Sequence, residues 1–171
     1  MFAFEWSDKG MKIIMHEKFM KEAIKEAKKA LEIEEIPVGA VIVKNGKIIA
    51  RGYNKKELKQ DATRHAEIIA IEKASKKLNN WRLIDCEMYV TVEPCVMCAG
   101  AILSSRIKKV YIGTNDNRMG AVGSVLNLFE DYIFNHRVNY EKGILKSECE
   151  NLIKDFFKFL RNKKNVNCWI Q

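Results

Sequence analysis

The sequence predicts an α/β sandwich around a mixed sheet. Segments with the apolar spacing of helices alternate with short β-branched runs, the pattern of helices packed on a sheet. The first two of those runs flank Asn45-Gly46, a pair that accepts the positive φ angles of a tight hairpin turn. A hairpin makes its strands antiparallel, so the sheet is mixed. Size agrees: 171 residues, 47% of them apolar, suit one compact domain with a real core.

The elements follow in order. Residues 1–14 read as a loosely ordered extension. A helix is expected from His16 to Glu32, with Phe19, Met20, Ala23, Ile24, Ala27 and Leu31 on its core face. The hairpin VGAVIVKNGKIIARGYN comes next, then the polar loop KKELKQDAT. HAEIIAIEKASKKL reads as a second helix and CEMYVTV as a strand. PCVMCAGAILSS reads as a short helix, with Pro94 in its first turn where a missing N–H costs nothing. KKVYIGT is a strand, NDNRMGAVGSVLNLFED a long loop with room for a short helix, and HRVNYEKG holds a short final strand. The last helix, ILKSECENLIKDFFKFLRNKK, carries a capping-box pattern at Ser147 and Glu150.

Composition narrows the function. No apolar run approaches the roughly 18–20 residues of a membrane span, so no membrane role is expected. The first residues lack a basic region followed by an apolar stretch, so a secretory signal is not expected and the cytoplasm is the default. Five cysteines, at 86, 95, 98, 149 and 168, fit a metal site or buried thiols better than a disulfide framework. The net charge of +8 favours an anionic partner, nucleic acid first, although solubility alone would also account for it.

Two segments carry chemistry. His65-Ala66-Glu67 opens one helix, and Pro94-Cys95-Val96-Met97-Cys98 opens another. Zinc takes thiolate sulfur and imidazole nitrogen in a tetrahedron, and Cys-x-x-Cys sets two sulfurs one helical turn apart. A helix N-terminus also favours the thiolate. His65, Cys95 and Cys98 are therefore the expected metal ligands. No fourth Cys or His stands at a natural spacing, which leaves a position for water, the mark of a catalytic site. Glu67, two residues past the histidine, is the expected proton carrier. Alone, each motif is bland; in this order they match the H-x-E…P-C-x-x-C pattern of zinc nucleobase deaminases.

Beyond those motifs, IPVGAVIV (36–43), GYN (52–54), HAEIIAI (65–71), TVEPCVMCAGAI (91–102), GTND…MGAVGS (113–124), NHRV (135–138) and GIL…EC…L…DFF (143–157) resemble the family of bacterial tRNA-specific adenosine deaminases. The resemblance runs from about Met15 to Arg161. It implies a three-layer α/β/α sandwich with a central mixed five-stranded sheet, cytidine deaminase-like. It implies one deaminase domain over 15–165, with a tail at 166–171. The implied activity is hydrolysis of wobble adenosine to inosine in the tRNA anticodon stem-loop, with one zinc ion per subunit of a homodimer. It further implies that Asn54 hydrogen-bonds the adenine, Val38 walls the base, Asp116 meets a neighbouring ribose hydroxyl and Phe157 packs near the flipped anticodon bases. Asn54 could instead simply end the hairpin, and Asp116 could be an ordinary turn residue. Two rival functions stay open: a deaminase of a free base, nucleoside or nucleotide, and a non-catalytic RNA-binding subunit with structural zinc.

Other residues read as structure. His16 is expected exposed, His136 in a structural hydrogen bond, Trp81 in the core, and Val96 and Met97 as packing within the motif. Cys86, Cys149 and Cys168 read as inert thiols. Glu93 reads as shaping the Cys95 helix. Lys154, Lys158, Arg161, Lys163 and Lys164 crowd the last helix; Arg106, Lys108, Lys109 and Arg118 are expected near the metal and loop segments. Both groups suit RNA phosphates.

Overall fold

The computed structural model describes residues 8–131 and 133–167, and the side chains of 10–131 and 133–163. Five strands form one sheet in the order β2-β1-β3-β4-β5: β1 Gly39–Lys44, β2 Lys47–Tyr53, β3 Cys86–Val92, β4 Lys109–Thr114 and β5 Asn139–Lys142. β1 runs antiparallel to β2 and β3, whereas β3, β4 and β5 are parallel. The mixed five-stranded sheet is thus as expected. Asn45 (φ 50) and Gly46 (φ 70) both take the positive φ that a two-residue hairpin turn requires.

Helices cover both faces. Residues α1 Asp8–Glu32 and α5 Lys146–Asn167 lie on one side, α3 Ala66–Leu78 and α4 Val96–Ser104 on the other. The two-residue period of the strands divides the core accordingly. Ala40, Ile42, Met88, Val90, Val110 and Ile112 face α3 and α4, while Val41, Val43, Tyr89 and Tyr111 face Phe19, Met20 and Ala23 of α1. Among the described residues no helix is long and apolar enough to cross a membrane.

The structure departs from the sequence reading in several places. α1 starts at Asp8, so the expected loose extension is helical from residue 8, while residues 1–7 lie outside the described residues. Met11, Lys12 and Met15 are good helix formers and no proline stands upstream of His16, so the helix runs on through Gly10. His16 consequently sits inside α1, half-buried, with Nδ1 2.8 Å from the Tyr89 hydroxyl and its ring stacked on Tyr111. Leu31, in the last turn of α1, is exposed. The polar loop contains one helical turn, α2 Lys56–Lys59, closed by Gln60 in the left-handed region. Ser147 lies within α5 and not at its cap; Glu150 pairs with Lys154 (3.1 Å) and Lys146 (3.7 Å) instead. Trp81 is 53% exposed and lies against the Arg82 guanidinium, because Leu83, fully buried, takes the core position. Val96 points outward, half exposed. Cys86 and Cys149 are buried free thiols, Cys149 pushed up to about 12 by burial, and His136 bonds the Ile107 carbonyl. Cys168 lies outside the described residues.

Candidate active site and metal centre

The site forms where two helix starts meet. His65 is the N-cap of α3 and Cys95 the N-cap of α4, both with extended backbone. N-cap side chains commonly bond back to their own helix. Neither of these does; each reaches instead toward the other. His65 Nδ1 lies 3.7 Å from Cys95 Sγ and 3.6 Å from Cys98 Sγ, and the three atoms fall within 4.8 Å of one another. A tetrahedral zinc with ordinary Zn–S and Zn–N bonds needs S···N edges of about 3.5 Å, so the donor set fits a metal ion.

The electrostatics fit as well. Cys98 donates to Cys95 and, with burial opposing, holds the Cys95 thiol down at about 4. The same contact pushes Cys98 strongly up, and the hydrogen bond to Cys95 raises His65. One sulfur therefore carries charge at the expense of the other. A divalent cation among the three donors would let both sulfurs ionise.

Glu67 stands in the first turn of α3, 3% exposed. Burial pushes its carboxyl up to about 7, which suits a group that must both accept and give a proton near neutrality. Asn54, just past β2, is buried; its amide Nδ2 donates to Glu35 Oε2 (3.1 Å) and its backbone N–H to the Val38 carbonyl (3.1 Å). Val38 and Asn54 are thus neighbours, and Val38 also packs against the core that α3 and α4 share.

Asp116 lies in the loop after β4, where Oδ1 accepts from the N–H groups of Arg118 (2.9 Å) and Met119 (3.1 Å). That is a turn role, and it leaves Oδ2 for another partner. Phe157 is 38% exposed whereas its neighbour Phe156 is buried.

Two acids carry the site in ways the sequence did not reveal. Glu93, 3% exposed, precedes the Pro-Cys motif and holds the 115–124 loop against it. Its carboxyl accepts from the N–H groups of Asp116 (3.3 Å), Val122 (2.9 Å) and Ser124 (3.0 Å) and from the Ser124 hydroxyl, and it pairs with Lys142 (3.2 Å). Burial would raise Glu93, but these hydrogen bonds win and keep it below its ordinary value. Glu35 is the second such acid, and nothing in sequence distinguishes it from nearby Glu32 and Glu34.

The expected basic cluster divides. Arg106, Lys108 and Lys109 lie at the starting edge of β4, where Lys109 is level with Glu87 on the parallel β3. Cys95 follows the finishing edge of β3, about 20 Å away at the rise of a strand. These three are therefore not beside the metal ligands; only Arg118, in the loop that Glu93 holds, is near them. Lys163 and Lys154 of α5 pair with Glu34 and Glu150.

A family model described as MafB19-like deaminase matches residues 14–161. Over 150 residues the chain is 49% identical to the tRNA-specific adenosine deaminase of Bacillus subtilis, covering 88% of this chain and 93% of that protein. It is 44% identical to that of Haemophilus influenzae over 151 residues, covering 88% and 87%. A solved structure from work on A-to-I editing by tRNA:A34 deaminases superposes with a TM-score of 0.76 at 40% identity, covering 79% of this chain and 98% of that one. The guanine deaminase of Bacillus subtilis follows at 34% identity and a TM-score of 0.57, covering 86% and 94%. Fold, paired helix starts and relatives agree: the chain belongs to the MafB19-like deaminase family and, within it, to the tRNA-specific adenosine deaminases.

Proposed function

We propose that the protein hydrolyses the wobble adenosine of a tRNA anticodon to inosine at a zinc ion held by His65, Cys95 and Cys98. The observation that carries this reading is the meeting of those three donors with the buried carboxyl of Glu67 at two adjoining helix starts. The charge of +8 and the relatives named for tRNA adenosine deamination support the substrate. Zinc bound there supplies a Lewis acid that brings the pKa of water down toward neutrality.

Glu67 does the proton work. It accepts one proton from the attacking water and delivers it to the ring nitrogen of the adenine, then takes the second proton from the oxygen now on C6 and delivers it to the departing amine. Water adds at C6 and ammonia leaves, so the overall change is adenosine plus water to inosine plus ammonia. Asn54 orients the base by its amide, and Val38 forms an apolar wall beside it. Asp116 meets a ribose hydroxyl through the oxygen not used in its turn, and Phe157 packs against the flipped loop bases. Arg118 and exposed cations of α5 hold phosphates, which fix position and not sequence. A single-stranded loop makes extrusion of the base cheaper than it would be in a duplex. The working unit is residues 15–165, acting as a homodimer in the cytoplasm.

Inosine formation in an anticodon stem-loop with a wobble adenosine, wild type beside Glu67→Ala, tests the reading. Inosine from wild type alone supports it. A zinc-loaded wild type that binds the stem-loop and makes no inosine refutes it, and turnover of free guanine or cytidine would then select a free-base activity.

A further inference from the structure

We propose that Glu35 is a positioning residue for the deamination, setting which way the Asn54 amide faces the substrate base. This rests on the reading of Asn54 as the group that orients the base. Glu35 is 1% exposed, and no lysine or arginine pairs with it among the described residues. A buried carboxyl without a cation is costly unless hydrogen bonds hold it. Two do: Oε2 accepts from Asn54 Nδ2 at 3.1 Å, and Oε1 accepts from the Leu58 backbone N–H at 2.8 Å. Its own N–H is fixed to the Ala30 carbonyl at 3.0 Å. One residue, through its backbone N–H and its carboxyl, thus ties the end of α1, the helical turn α2 and the residue after β2 together.

The consequence for Asn54 is directional. An amide has a donor side and an acceptor side of nearly equal size, so neighbours alone decide how it is turned. With Glu35 accepting from Nδ2, a half-turn of the amide would set Oδ1 against a carboxyl oxygen and lose the bond. The amide is therefore locked, with one N–H engaged and the other N–H and Oδ1 left for the base edge. Glu35 touches no substrate atom itself; it acts through Asn54.

Glu35→Gln keeps size, but with its oxygen on the Leu58 N–H it presents an NH2 donor to Asn54, so the turned orientation of the amide becomes the favoured one. The expected result is a fall in kcat/KM for the wobble-adenosine stem-loop of about ten- to hundredfold, the usual loss when one base-edge hydrogen-bond pair is misdirected. The decisive experiment is a cycle of wild type, Glu35→Gln, Asn54→Ala and the double variant, with zinc content and thermal midpoint measured for each zinc-loaded protein. If Glu35 acts through Asn54, the double variant is no slower than Asn54→Ala alone, and zinc content is unchanged. Losses that multiply, or a Glu35→Gln rate within twofold of wild type, overturn the proposal. A harmless Asn54→Ala removes the base-orienting reading of Asn54 and this proposal with it, a result distinguishable from multiplying losses. Should Glu35→Gln fail to fold, Glu35→Asp keeps the acceptor but retracts it by one methylene. A loss that vanishes in the Asn54→Ala background is expected there, and full activity of Glu35→Asp would overturn the proposal.

Discussion

Gly52→Ala strikes the site without touching it. Gly52 lies on β2 where α3 crosses closest, and its φ is outside the left-handed region, so the constraint is space and not conformation. A Cβ at this position would stand 2.1 Å from the Ala66 carbonyl oxygen and 2.8 Å from the Ala70 nitrogen. Both are helix backbone, which cannot rotate aside. Real contacts of this kind begin at about 3 Å, so α3 must retreat by about 1 Å. Overpacking of this kind costs about 1–3 kcal/mol, which urea unfolding would register. The larger effect is on catalysis, because α3 carries His65 at its cap and Glu67 in its first turn. A displacement of about 1 Å in catalytic groups lowers turnover by roughly a hundredfold. Inosine formation and zinc content, measured on folded variant beside wild type, would show whether the helix start has moved. A Gly52→Ala protein with wild-type stability and rate would refute the claim that α3 is seated by backbone contact at this glycine.

Glu67→Gln should abolish nearly all turnover, by about 10²–10⁴-fold, and should make the metal-free protein more stable at alkaline pH. Burial holds the Glu67 carboxyl at about 7 against an ordinary 4.5, so folding favours its protonated form. That stability is complete below about pH 4.5 and is lost as pH rises through 7, so the glutamine gains up to about 3 kcal/mol at pH 8.5 and nothing at pH 4.5. Urea unfolding in chelator at both pH values checks this, and a pH-independent difference would contradict it. Cys98→Ser should retain little zinc after dialysis against a chelator, where wild type holds about one ion per chain; equal retention would remove Cys98 from the ligand set. Glu93→Ala leaves Lys142 and three N–H groups of the loop without their acceptor and should cost about 3–5 kcal/mol; a change below about 1 kcal/mol would mean that water replaces the carboxyl.

The candidate site was legible because its motifs are written locally. Ligand spacing in Cys95-x-x-Cys98, the His65-Ala66-Glu67 pair and the proline before Cys95 are short-range patterns, and so is the Asn45-Gly46 turn. The element order was legible because apolar periodicity reports which face of each element is buried. Errors fell where local signals are weak. Gly10 is the one weak break upstream of His16 and α1 runs through it, and a Ser-x-x-Glu pattern occurs inside helices as well as at caps, as Ser147 and Glu150 show. Trp81 reads as core by its size, and only packing shows that Leu83 takes the buried place while the tryptophan is exposed.

By itself, then, the sequence offered the candidate donors, a candidate proton carrier, the hairpin and the helix-strand alternation, since each motif is formed by residues close in the chain. The tertiary structure alone decided that His65 and Cys95, 30 residues apart, meet as two uncapped helix starts. It also decided that Glu93 grips a loop up to 31 residues on, and that Arg106, Lys108 and Lys109 lie at the far edge of the sheet. Strand order and direction set those distances, and they follow from long-range pairing, which no short stretch of sequence encodes. Glu35 is the clearest case: its carboxyl is one of several in a charged run, and only burial against Asn54 gives it a task.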